Sequence, residues 1–368
     1  MSLLDLPPDR AQALRAALRK HAGRWIQRFY RHEILVARTV RGYQVEAADL
    51  FRREVVEPVI RRVAGGLATF DPRGQDVTIE RFPQLRAIMA DVEQIVRRGV
   101  GQVEQRATAS LRDLTQQEVE WVGESARRVL KVEPPAIDVG AVNRAWVDRA
   151  YLGGKVNEWF DSLIGGDNGA ADNVRSMLRT GLSQGWSEAE IVRSLRGRRD
   201  TGYTDGLLSG QNTDQIRTLV RSAASHVSAT TRMESFKAIG VQRWRFVATL
   251  DSKTSVQCAS QDGQTYPLGE GPVPPLHPNC RSTAVPDFGD PIGNRASTDG
   301  PVPATVTFAD WLEGRSVAEQ DEVLGKTKAS AWRNGKLPID KMLGSDLQPL
   351  TLAELRRLDR IPDEPDDE

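Results

Sequence analysis

Cys258, His277 and Cys280 are the side chains of this sequence best suited to chemistry: its only two cysteines, and one of its four histidines three positions before the second. Four readings of them are open. Zinc takes thiolate and imidazole ligands tetrahedrally, so His277 and Cys280 make a half-site, Cys258 adds a third ligand, and Asp251 or Asp262 would have to supply a fourth. Without a metal, the thiols are small buried hydrophobes and His277 is a hydrogen-bonded loop anchor. A disulfide between Cys258 and Cys280 would contribute about 3 kcal/mol by closing a loop, against the grain of a reducing compartment. Finally, Cys258 could act as a nucleophile with His277 as its base, although no nucleophile elbow or oxyanion donor accompanies them. Arg281, directly after Cys280, carries a planar fork that suits a carboxylate such as Asp251, or else a partner or phosphate.

The residues framing this trio come in a definite order: Trp244 in an aromatic stretch, then Asp251, Lys253, Thr254, Cys258, Asp262, Gly263, Pro275, His277, Pro278, Cys280 and Arg281. That order resembles the phage head-morphogenesis family, the minor head proteins similar to protein F of phage Mu. The likeness covers about Arg217 to Pro286, includes Arg232-Met233-Glu234 where members often show Arg-Thr-Glu, and returns at Trp311-Leu312, Gln320 to Gly325 and Trp332 to Gly335. Ser255 and Ser282 stand where many members carry further cysteines, which excludes a four-cysteine metal site. The resemblance implies a virion component made in the host cytoplasm. It would lie in the capsid interior or at the portal vertex, with the portal protein and other capsid components as partners, and act in head assembly and in genome packaging or ejection. The sequence holds no phosphate-cradling Gly-rich Lys-Ser/Thr loop and no zinc-protease His-Glu-x-x-His, so no catalytic residue is expected, and no cofactor unless the trio holds zinc. The alternatives are a capsid-internal DNA-binding or ejected protein, or a Cys258/His277 hydrolase.

The elements that must position these groups are read from periodicity. Val241 to Thr249 has the aromatic and β-branched content of a strand, and Arg281 to Val285 of a second. Thr254-Ser255-Val256-Gln257 reads as a capping box opening the turn that carries Cys258, and Asp262-Gly263 as a turn. Upstream, Thr213 is placed to cap a helix ending near Gly240, with His226 packed on its apolar face.

Helical spacing dominates the rest: a long helix from Asp9 through Phe29, a second from Tyr43 to Val63, and amphipathic helices from Pro83 to Leu130, interrupted near Gly99 to Gly101. His21 and His32 look like ordinary helix residues. Thr69 to Ile79 reads as a loop or short strand. Shorter helices follow at Val142 to Leu163, Asn173 to Gly181 and Ser187 to Leu195, the last opened by Ser187 and Glu190. Arg193, Arg196, Arg198 and Arg199 cluster at its end, a candidate DNA contact set against an ordinary solvated helix end.

The fold class expected is mainly α with a small α+β module. Its regions are 1–133 with long N-terminal helices, 134–212 as a central helical region, the module at 213–290, a Pro/Gly linker at 291–306, a C-terminal helical extension at 307–361 and an acidic, disordered tail at 362–368. In 368 residues, 39% are hydrophobic and 27% charged, as in soluble globular chains. Fifty basic and fifty acidic residues cancel, so no global field draws the protein onto nucleic acid or lipid, and DNA contact would have to be local. No apolar run reaches membrane-spanning length, and no membrane partner is expected.

Overall fold

The structure is a computed structural model that describes residues 7–70, 78–131, 133–151, 154–165, 168–289 and 293–362. It is mainly α-helical with a small antiparallel sheet, the expected class. Most of Thr69 to Ile79, and the tail beyond Pro362, lie outside the described residues. Among the described residues, no helix is long and apolar enough to cross a membrane.

Helix α1 (Pro8–Phe51) opens on a proline, which forfeits nothing in a first turn, and continues past the break expected before Tyr43. Only Gly42 could interrupt it there, and that glycine faces open space. After Phe51 the helix widens into a π turn (Arg52–Val56) and resumes as α2 (Glu57–Leu67). Pro58 lies in the first turn of α2 and has no N–H with which to continue the four-residue ladder, which accounts for the widening.

Helix α3 (Pro83–Leu130) runs without the interruption expected near Gly99 to Gly101. Gly99 is used for close approach, not for a break. A Cβ there would lie 2.4 Å from Cγ2 of Val55 and 2.9 Å from the Glu54 carbonyl, so the π turn seats directly on the glycine. The predicted Val142 to Leu163 helix is likewise two: α4 (Val139–Asp148) and α5 (Val156–Ser162). Then come α6 (Ala170–Ser183), α7 (Glu188–Arg196), a second π turn (Leu207–Asn212) and α8 (Thr213–Ile239). Ser187 and Glu190 form the predicted capping box. Thr213 does not cap α8; its hydroxyl donates to the Leu208 carbonyl inside the π turn.

By contacts the chain forms two compact units. One comprises Ala37–Leu114 and Asn143–Ala224; the other comprises Met1–Val36, Thr115–Val142 and Ser225–Glu368. The first is helical, with Val59, Val63, Leu85, Ile88, Val92, Val96, Leu178, Ile191 and Leu195 fully out of water.

The second unit contains the sheet. Strands β1 (Arg243–Val247), β2 (Thr265–Pro267) and β3 (Thr283–Asp287) pair antiparallel in the order β2-β1-β3, with Trp244 opposite Tyr266 and Pro286. Helix α9 (Val256–Gln261) lies in the connection between β1 and β2. Trp244, Phe246, Ala284 and Val285 bury into a core with Leu14, Leu18, Trp25, Phe29 and Phe236.

Where composition predicts a linker, residues 294–303 form a hairpin of β4 (Asn294–Ser297) and β5 (Gly300–Pro303). A two-stranded sheet is all edge, so Pro301 and Pro303 are tolerated in it. Helices α10 (Phe308–Glu313), α11 (Val317–Leu324), α12 (Lys326–Arg333) and α13 (Leu352–Arg357) follow, with Ser316 capping α11 and Thr351 capping α13. Their apolar faces enclose a second core of Phe308, Leu312, Ala329, Met342 and Leu355 together with Leu250 and Ala259.

Candidate functional site

Strand β1 anchors the site. Trp244 is wholly buried and its indole N–H donates to the Glu270 carbonyl at 3.0 Å, fixing the long loop that leads to His277. At the far end of β1 the chain closes on Asp262-Gly263. The Gly263 amide donates to the Phe246 carbonyl at 2.9 Å, with φ of +80° that glycine adopts without cost. Between these points, α9 is capped one residue later than the sequence predicts. The Ser255 hydroxyl, not Thr254, accepts from the Cys258 amide at 3.2 Å, while Thr254 donates its hydroxyl to the Thr249 carbonyl at 2.6 Å. The cap fixes Cys258 in the first turn of α9.

His277, Pro278, Asn279 and Cys280 make a tight turn in which the Cys280 amide donates to the His277 carbonyl at 3.1 Å. Asn279 takes φ of +60°, a conformation asparagine tolerates better than most residues. The turn sends both side chains toward Cys258. Its Sγ lies 3.4 Å from Sγ of Cys280 and 3.3 Å from Nε2 of His277, and all three ligand atoms lie within 4.8 Å of one another. A carbonyl only accepts, so the 2.8 Å contact of His277 Nδ1 with the Pro278 oxygen puts a proton on Nδ1 and leaves Nε2 for the sulfurs. Both cysteines are free and buried, and both expected cysteines and the histidine meet at one point.

The charges are unequal. A hydrogen bond from Cys258, aided by His277, outweighs burial and brings the Cys280 thiol down to about 4. The same sharing, together with burial, pushes the Cys258 thiol up. His277 is raised, first by its hydrogen bond to Cys280. Cys258 is therefore the protonated member of the pair, the opposite of what a Cys258 nucleophile requires.

Neither carboxylate that the sequence offers as a fourth ligand is free. Asp251 faces Arg281 through both oxygens, with Nη2 2.7 Å from Oδ1, and accepts the Lys253 amide at 2.9 Å. Arg281 thus makes the internal pair its position suggested. Asp262 is buried under Arg295, which donates to both of its oxygens at 2.7 and 2.8 Å, and it also accepts the amides of Ala248 and Phe308, each at 2.7 Å. Arg295 carried no sequence signal, because it lies in the stretch that composition marked as a linker.

A second buried polar group also went unread. Glu118 accepts from His32 Nε2, from the Ser228 hydroxyl at 3.1 Å and from Arg232 Nε at 3.0 Å, while Arg232 also pairs with Glu33 and Thr283. His32 is no ordinary helix residue; its ring stacks on Trp121 with centroids 3.8 Å apart. His226 is buried as expected.

Arg193, Arg196, Arg198 and Arg199 are exposed at the end of α7, but they do not form one free basic face. Arg198 is bound to Asp205 by its side chain at 2.7 Å and its amide at 2.8 Å. Arg196 lines a groove of about 600 Å³ that also contains Arg52, Arg61 and Arg217 alongside Asp49 and Glu57.

Residues 172–285 match the family model described as phage Mu protein F like protein. The matched stretch runs from α6 into β3 and so contains the whole Cys258, His277 and Cys280 cluster. Neither curated proteins nor solved structures gave a match to the chain.

Proposed function

We propose, on the premise that residues 172–285 are phage Mu protein F-like, that the protein is a minor head protein of a tailed bacteriophage. It would act in head assembly, with other phage structural proteins as partners and the virion as its location. The observation that carries this reading is the family match itself, which spans the Trp244 to Arg281 frame. Within that reading, the portal protein is the partner and the portal vertex or capsid interior the place, and the chain contributes to packaging or ejection of the genome. A chain with equal numbers of acidic and basic residues and long amphipathic helices suits docking onto protein better than tracking along DNA.

The role is structural rather than enzymatic. Cys258 is buried and its thiol is pushed up, which disfavours a hydrolase built on it. DNA contact through the α7 arginines is the weaker reading, since Arg198 is already committed to Asp205 and the groove at Arg196 mixes both signs of charge.

The test is omission. A phage lacking this chain is expected to yield defective heads, or heads of low infectivity, rescued by the chain supplied in trans. Normal yield and infectivity without it would overturn the assignment.

A further inference from the structure

We propose that Cys258, His277 and Cys280 form a three-ligand site for zinc, with water in the fourth position. The spacing is that of a coordination shell. Tetrahedral zinc with bonds of about 2.3 Å to sulfur and about 2.0 Å to nitrogen sets its ligands about 3.8 Å apart for two sulfurs and about 3.5 Å for sulfur and nitrogen. The sulfurs here are 3.4 Å apart and the Cys258 to His277 contact is 3.3 Å, two edges within a few tenths of an ångström of that shell, and all three ligand atoms lie within 4.8 Å of one another. A disulfide would need about 2.05 Å.

Orientation points the same way. The Pro278 carbonyl accepts a hydrogen bond from His277 Nδ1 and turns Nε2 toward the sulfurs, as the outer hydrogen bond of a metal-bound histidine does. Once Cys258 releases its proton to solvent on binding, two thiolates and an imidazole favour zinc over the oxygen-seeking cations. The fourth position falls to water because Asp251 and Asp262 are consumed by Arg281 and Arg295. Bound there, the ion would join the first turn of α9 to the turn that precedes β3, two segments separated in sequence by β2 and the loop that follows it.

The experiment uses the full chain, stripped with chelator under reducing conditions, shown to be folded by circular dichroism and titrated with Co²⁺ and then Zn²⁺. One equivalent of Co²⁺ is expected to give thiolate-to-cobalt charge-transfer absorption, which Zn²⁺ abolishes. Cys280→Ser should weaken binding by more than the roughly 10–100-fold that loss of a ligand's hydrogen-bond partner costs. A second variant works in the opposite direction, so that unfolding cannot mimic the result. Ser282→Cys adds a third thiol two residues after Cys280, and should lower the zinc concentration that half-saturates the protein in competition with a chelator. A folded, fully reduced chain without charge-transfer absorption overturns the proposal, and so does a Ser282→Cys competition curve that coincides with the parent's. The purified chain is the only component, so either failure leaves the head-assembly reading untouched.

Discussion

Arg295 lays its guanidinium across the carboxylate of Asp262, with Nη2 2.7 Å from Oδ1 and Nη1 2.8 Å from Oδ2 and both side chains almost wholly out of water. The pair ties the turn after α9 to strand β4, and through the Phe308 amide to the start of α10. It therefore joins the sheet module to the C-terminal helices.

Breaking that pair leaves a charge buried without its partner. Arg295→Met should cost about 3–5 kcal/mol in denaturant unfolding. Asp262→Asn should cost a similar amount, and the double variant less than the sum, because each single change already forfeits the same contact. Additive losses would mean that the two residues act separately.

Glu118 sets a pH dependence. Burial alone would raise its pKa, but the charge of Arg232 and the hydrogen bond from His32 outweigh burial, and the folded value lies below the ordinary 4.5. A carboxylate lowered in this way contributes stability that is fully present above pH 4.5 and is lost as pH falls through the folded value. Urea midpoints measured from pH 7 downward should fall below pH 4.5 in the parent, and less steeply in Glu118→Gln. At pH 7 that variant should already be less stable by about 3 kcal/mol, since Arg232 loses its buried counter-charge. Parallel pH profiles would contradict this account of Glu118.

The Arg281 and Asp251 pair is partly solvated and should matter less. A double-mutant cycle with Arg281→Ala and Asp251→Ala is expected to give a coupling of about 1 kcal/mol or below, shrinking with added salt. Coupling of several kcal/mol would show that the pair is far better shielded than its exposure implies.

The two thiols should differ in reactivity. With Cys280 brought down to about 4 and Cys258 pushed up, limiting iodoacetamide applied to the chelator-treated chain should label Cys280 first, as read by peptide mass spectrometry. Preferential labelling of Cys258 would reverse the proton assignment at the site and reopen the nucleophile reading.

Much of the site was legible because its residues lie close together in sequence. The order of the Asp251 to Arg281 frame and both strands could be read from the sequence, which also offered the meeting of Cys258, His277 and Cys280 and the Arg281 pair among open alternatives. What escaped depends on contacts distant in sequence. Nothing near Glu118 announces Arg232, more than a hundred positions away, and nothing near Asp262 announces Arg295. Gly99 reads as a helix breaker by propensity, yet it stays helical because a π turn far upstream needs the space of its missing side chain. Ser255 and Thr254 are both good caps, and the choice fell to Ser255 because the Thr254 hydroxyl is drawn back to the Thr249 carbonyl.

Whether the proposed phage head protein is part of the particle is read by quantitative mass spectrometry of purified particles, before and after genome ejection. The account predicts this protein in intact particles at a fixed low ratio to portal subunits. Retention of that ratio after ejection would mark a component of the head shell or portal, and its loss would mark a protein delivered with the genome. Absence from intact particles would contradict the account.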